Sequence, residues 1–172
     1  MIRVQTPISK KVVQQLKVGD QIEIYGKIFC ARDAVLPKLT ALFEKGGAAA
    51  LPVDLEGTVI FHTAVSIAGV GPTSSNKVEI EESIPALSRA GVRIHLGKGA
   101  LSASTARALN KYGSVFAVTP PASALFNDRT VSQKIAAFPK EGMEALWELE
   151  VKGLPAIIAI VQGKTIFKRR AK

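Results

Sequence analysis

Cysteine is nearly missing from this chain. Cys30 stands alone among 172 residues, so it can form no internal disulfide and cannot by itself hold a metal cluster. The two histidines, His62 and His95, are too few for a self-sufficient zinc site of the usual kind. Any transition-metal chemistry therefore needs ligands from another chain. Aromatic residues make up 6% of the sequence, and the basic segments carry none interleaved, which leaves a base-stacking platform poorly supported. There is no GxGxxG after a first strand and no P-loop lysine motif, so nucleotide binding has no support. The opening MIRVQTPISKKVV lacks the apolar core of a signal peptide, and no apolar run approaches a membrane span. A cytoplasmic protein without membrane association is expected.

What is present is an ordinary globular balance, 47% hydrophobic and 22% charged, enough for one domain over residues 1–172 with a real core. Basic residues exceed acidic ones, 23 to 14, giving a net charge of +9 that favours anionic partners. Part of that excess is a basic tail, Lys168-Arg169-Arg170-Ala171-Lys172. The rest is spread over lysines that read as a solvated face, so nucleic acid is not the expected partner.

Periodicity gives the elements. Ile8, Val12, Val13 and Leu16 form a helical stripe that Thr6 or Ser9 can cap. Residues 21–28 alternate as a half-buried strand. A helix pattern starts at Asp33 with Leu36, Leu39, Leu42 and Phe43 apolar, and Gly46-Gly47 end it. TVIFHTA (58–64) reads as a buried strand, and the small-residue stretch 65–76 as a loop. A short helix carrying Ile80, Ile84 and Leu87 stops at Gly91, and VRIHL (92–96) is a strand. GKGALS leads into a helix with Leu101, Ala108 and Leu109, and SVFAVT (114–119) is again a strand. A weaker helix is expected over about 131–138. Strands over 146–151, 156–161 and 165–167 close the chain. This alternation predicts an α/β domain with a mixed sheet and flanking helices, not a clean doubly wound one.

Three segments place polar or small residues at the edge of an apolar element. In Cys30-Ala31-Arg32-Asp33, Arg32 offers a planar donor fork to a carboxylate or forms an internal ion pair, while Asp33 suits a helix cap. In Gly69 to Lys77 (GVGPTSSNK), glycines allow close backbone approach. Hydroxyls with helix-start amides can there cradle an anion, or the stretch is a plain loop with Ser75 or Asn76 as cap. Lys77 adds a charge able to neutralise a bound carboxylate. In Gly97-Lys98-Gly99 a lysine follows a strand end, where open α/β sheets receive ligands. Arg32, Lys77 and Lys98 together suit a dicarboxylate, provided that they converge. His62 and His95 read as packed, hydrogen-bonded core or rim residues, and Cys30 as a small residue near the site.

Taken in order, LKVGDQIEIYGKIFCARDAVLPKL, GVGPTSSNKVE, IHLGKGALS and GMEALWELEVKGLPAIIAIVQGKTIF resemble the beta subunit, or equivalent C-terminal domain, of class I iron–sulfur fumarate hydratases and L-tartrate dehydratases. The resemblance implies a swivelling β/β/α domain. It implies a partner alpha subunit that holds a 4Fe–4S cluster, none of it bound by this chain, in an alpha2-beta2 assembly. The implied activity is reversible hydration of fumarate to malate, a tricarboxylic acid cycle step, or dehydration of a related hydroxy-diacid. Residue by residue, it assigns Arg32 and Lys98 to the substrate carboxylates and Thr73 to the reacting carbons, with Gly71, Ser74 and Lys77 lining the same site. Lys77 stands where relatives keep arginine, which loses a bidentate fork. The other reading is a dicarboxylate-binding or interaction module that keeps the fold without the enzyme.

Overall fold

The computed structural model describes residues 1–73 and 77–167, without the side chains of Lys77 and Glu79. Its centre is a mixed sheet that rolls into a nearly closed barrel. The strands are β1 (Ile2–Gln5), β2 (Gln21–Ala31), β3 (Val59–Ser66), β4 (Gly69–Thr73), β5 (Ile94–Gly97), β6 (Val115–Val118), β7 (Thr130–Ala137), β8 (Leu146–Val161) and β9 (Lys164–Thr165). β2, β3, β5 and β6 run parallel in that order. β8 runs antiparallel to both β6 and β2, which closes the ring. β1 extends the edge of β2 that β3 also uses, and β7 pairs with the first half of β8.

One long strand, β8, can serve four neighbours, β2, β6, β7 and β9, because it bends. Ile24 of β2 pairs Leu154 of β8 while Tyr25 pairs Lys152, so Gly153 is an extra residue in the ladder. Gly153 has φ +72°, and a Cβ there would lie 3.3 Å from the Tyr25 hydroxyl. Only glycine takes this bulge without strain, and the bulge adds the twist that carries β8 across the barrel. Pro155 follows without an N–H to give, and its carbonyl accepts the Thr119 hydroxyl at 2.9 Å.

Among the described residues, five α-helices pack around the barrel: α1 (Lys10–Gln15), α2 (Leu36–Gly46), α3 (Lys77–Arg89), α4 (Ala103–Tyr112) and α5 (Ser123–Arg129). Strand alternation divides the apolar residues. Val59, Phe61, Ile94, Leu96, Val115 and Ala117 belong to the cluster inside the barrel with Cys30. Ile60 and Phe29 belong to a second cluster with Leu36 and Leu39 of α2 and Leu87 of α3. Ile80, Ile84, Leu109 and Phe116 form a third, between α3, α4 and the sheet. This is the mixed sheet with flanking helices of a swivelling β/β/α domain.

Several expectations needed correction. The stretch 65–76 contains the end of β3, a turn and β4, a hairpin in which Thr63 pairs Thr73 and Val65 pairs Val70. The helix expected over 131–138 is strand β7, and α5 precedes it. Only one β7 neighbour covers it, so its mixed apolar and polar residues face solvent unevenly and mimic a helical spacing. Ser9, not Thr6, caps α1, accepting the Val12 N–H at 3.3 Å. α2 begins at Leu36 with Val35 at the cap position and no side-chain cap, so Asp33 is not its cap.

Candidate functional site

Strand register brings the proposed residues to one end of the barrel. Ala31 pairs His62 across β2 and β3, Phe61 pairs Leu96 across β3 and β5, and Gly97 pairs Val118 across β5 and β6. Ala31, His62, Gly97 and Val118 thus form one level across the parallel strands. The residues that follow them are Arg32, Thr63, Lys98 and Thr119. Arg32 and Lys98 therefore leave the carboxyl ends of β2 and β5, with β3 between them. Two strand spacings put their backbones about 10 Å apart, a gap that two long side chains and a small diacid can bridge.

Thr73 enters beside this row, because β4 sets it opposite Thr63. Thr63 also fixes the turn before it: its hydroxyl lies 2.8 Å from the Gly71 carbonyl and 2.9 Å from the Pro72 carbonyl, sharing its one proton between them. Gly71 is required at this approach, since a Cβ would meet the Ala64 carbonyl at 3.2 Å. Thr73 is 4% exposed, and its hydroxyl has no hydrogen-bond partner among the described residues. Ser74 lies outside the described residues, as does the side chain of Lys77.

The Arg32 guanidinium is half-buried. Its Nε lies 3.6 Å from Glu144 Oε1, an ion pair too long for a hydrogen bond. Glu144 comes from the short 3-10 segment Pro139–Glu144. Lys98 is exposed, with no ion pair among the described residues. Its flanking glycines serve different ends. A Cβ on Gly97 would press on the Phe116 ring at 3.3 Å, while Gly99 adopts φ +81° and turns the chain away.

Both histidines are packed core residues as expected, but only His95 is hydrogen-bonded. Both are fully buried and their rings stack at 5.7 Å. His95 Nε2 meets the Ser88 hydroxyl at 2.9 Å, as a packed histidine should. His62 has no partner for either ring nitrogen among the described residues. Burial lowers the pKa of His62 to about 4 and lowers that of His95 as well, with the neighbouring His62 adding to the effect on His95. Both imidazoles are therefore neutral near pH 7. Arg32 Nε, the His62 ring nitrogens and the Thr73 hydroxyl are buried polar atoms without a hydrogen bond among the described residues, and strand alternation sets His62 on the helix side of β3, opposite to Thr63 and its partner Thr73. Each such atom costs about 1–3 kcal/mol, and in native proteins such groups concentrate where something polar is bound.

Sequence reasoning missed Thr63, Glu144 and the orphaned His62. Thr63 and His62 were visible as polar residues inside an otherwise apolar strand. Nothing local marks Glu144, which reaches Arg32 only through the fold.

The donors do not fit an iron–sulfur cluster. Among the described residues no three of His, Cys, Asp or Glu gather to hold a metal. The Cys30 thiol is buried in the barrel interior, where desolvation pushes its pKa far up and disfavours the thiolate a metal needs. No described helix is long and apolar enough to cross a membrane.

Residues 1–170 match the family described as Fumarase C-terminus. The chain belongs to that family. Among curated relatives of this Fumarase C-terminus chain, a Methanocaldococcus jannaschii protein provisionally named L(+)-tartrate dehydratase subunit beta is 29% identical, over 94% of this chain and 88% of that protein. The L(+)-tartrate dehydratase subunit beta of Escherichia coli is 28% identical over 90% of this chain and 80% of that subunit. Fumarate hydratase 2 of Leishmania major is 26% identical over 92% of this chain, yet the match spans only 29% of that longer protein.

Proposed function

We propose that this Fumarase C-terminus chain is the smaller part of a two-part hydro-lyase acting on a small dicarboxylate, fumarate or a hydroxy-diacid such as malate or tartrate. The observation that supports the reading is the strand register, which sets Arg32 and Lys98 just past the carboxyl ends of β2 and β5 and Thr73 opposite Thr63 of the strand between them. A dicarboxylate needs two cationic clamps, and this row supplies them from two different strand ends.

In this reading one substrate carboxylate takes the place of Glu144 on the Arg32 fork, and the other meets the Lys98 ammonium. Charge-assisted hydrogen bonds of this kind contribute about 1.5–3 kcal/mol each. The Thr73 hydroxyl, desolvated and unpartnered, then lies beside the central carbons and orients or moves a proton there. A free threonine hydroxyl is a poor base, so proton abstraction needs an activating group from outside this chain. The 4Fe–4S cluster of such enzymes would belong to the larger partner, since no donor set for it gathers among the described residues.

Anaerobic co-expression with the polypeptide that matches the remainder of the longer relatives, followed by cluster reconstitution, tests the reading. Turnover of fumarate, malate or a tartrate by the complex, and none by this chain alone, is expected. An assembled complex that neither binds nor turns over any of these diacids would falsify it.

A further inference from the structure

The strongest unassigned feature is an apolar groove of about 550 Å³ next to the site. Its walls include Ile67 and Ala68 at the tip of the β3–β4 hairpin, Ile135 of β7, Met143, and Trp147 at the start of β8. Ile67 is fully exposed and Met143 is 58% exposed. Single exposed apolar residues are ordinary, but several around one concave surface mark an interaction site.

Side-chain hydrogen bonds brace the groove on both walls. Asn127 of α5 accepts the Val70 N–H at 2.8 Å and donates to the Ala68 carbonyl at 3.5 Å. Gln133 of β7 donates to the Ser66 carbonyl at 2.8 Å. On the opposite wall, the Trp147 indole N–H holds the Gly142 carbonyl at 3.1 Å. Polar ties thus hold apolar side chains outward, and such pre-organisation lowers the entropy cost of binding a partner.

The groove is also continuous with the site. The hairpin arms that carry Ile67 lead back to Thr63 and Thr73. Met143 directly precedes Glu144, which pairs with Arg32. Any body seated in the groove therefore reaches the rim of the dicarboxylate row. The longer relative supplies the matching bulk, since the part corresponding to this chain is only 29% of it.

We infer that this groove docks the larger, site-completing partner, which inserts an apolar side chain between Ile67, Met143 and Trp147. The inference rests on the two-part reading above. A buried aromatic and aliphatic centre of this kind is the usual energetic core of an interface, with a polar rim around it.

The test compares association of the partner with wild-type chain, Ile67→Lys and Ile67→Val, with circular dichroism as a control for folding. Ile67 is fully exposed at the hairpin tip, so its replacement should leave the fold intact. Ile67→Lys should weaken association by at least about 30-fold, while Ile67→Val binds as wild type does. Unchanged binding by Ile67→Lys would overturn the docking site and leave the two-part reading standing. Failure of the wild-type chain to associate would sink both. If the chain alone dimerises and Ile67→Lys abolishes that dimer, a second copy occupies the groove and the inference is wrong.

Discussion

At the level of single residues, the chemistry is set by partners that are loose or missing. Arg32 has a weak companion in Glu144, 3.6 Å away. If Glu144 competes with substrate for that fork, Glu144→Gln should lower KM for the dicarboxylate several-fold with little change in kcat. Steady-state kinetics of the assembled enzyme would show it, and an unchanged KM would mean that Arg32 does not meet substrate there. His62 and His95 give a second prediction. Because burial holds their folded pKa values below the usual 6.5, the unfolded chain binds protons that the folded chain refuses. Their contribution to stability is complete above pH 6.5 and falls as pH drops toward 4. Each histidine contributes about 1.4 kcal/mol per pH unit in that window. Denaturation midpoints measured from pH 7 to pH 4.5 should fall more steeply for wild type than for His62→Phe. Parallel slopes would contradict the assignment.

Among the elements, the sequence was most legible where one face is fully buried. Strands β2, β3, β5 and β6 and helices α3 and α4 were visible because their apolar residues repeat with the period of the element. β4 and β7 were not. β4 reads GVGPT, glycine- and proline-rich, and owes its strand state to pairing with β3 rather than to its own preferences. β7 packs on one neighbour only, so propensity and burial disagree there. The β8 bulge was likewise hidden, because Gly153 and Pro155 look like a strand break when read locally. The bulge makes its own prediction. Gly153→Ala places a Cβ against Tyr25 in a left-handed conformation, and should cost about 1–3 kcal/mol. Urea denaturation checks this, and no loss of stability would mean that the bulge is not required.

For the whole molecule, the candidate site was legible as residue types but not as a place. Arg32, Thr73 and Lys98 lie far apart in sequence, and only the order β2–β3–β5 with β4 beside β3 sets the strand ends that precede or carry them at one end of the sheet. The barrel positions cationic and hydroxyl groups at one end and leaves an apolar groove beside them. The net charge of +9 suits a partner or substrate of opposite sign.

The central claim is that this row of strand ends binds the substrate's carboxylates, and Lys98→Met in the assembled, active complex tests it most directly. Its kcat should fall by at least about 100-fold, on the order of 2.7 kcal/mol of lost transition-state stabilisation, with partner affinity unchanged. A wild-type rate from Lys98→Met would remove Lys98 from the site and contradict the account.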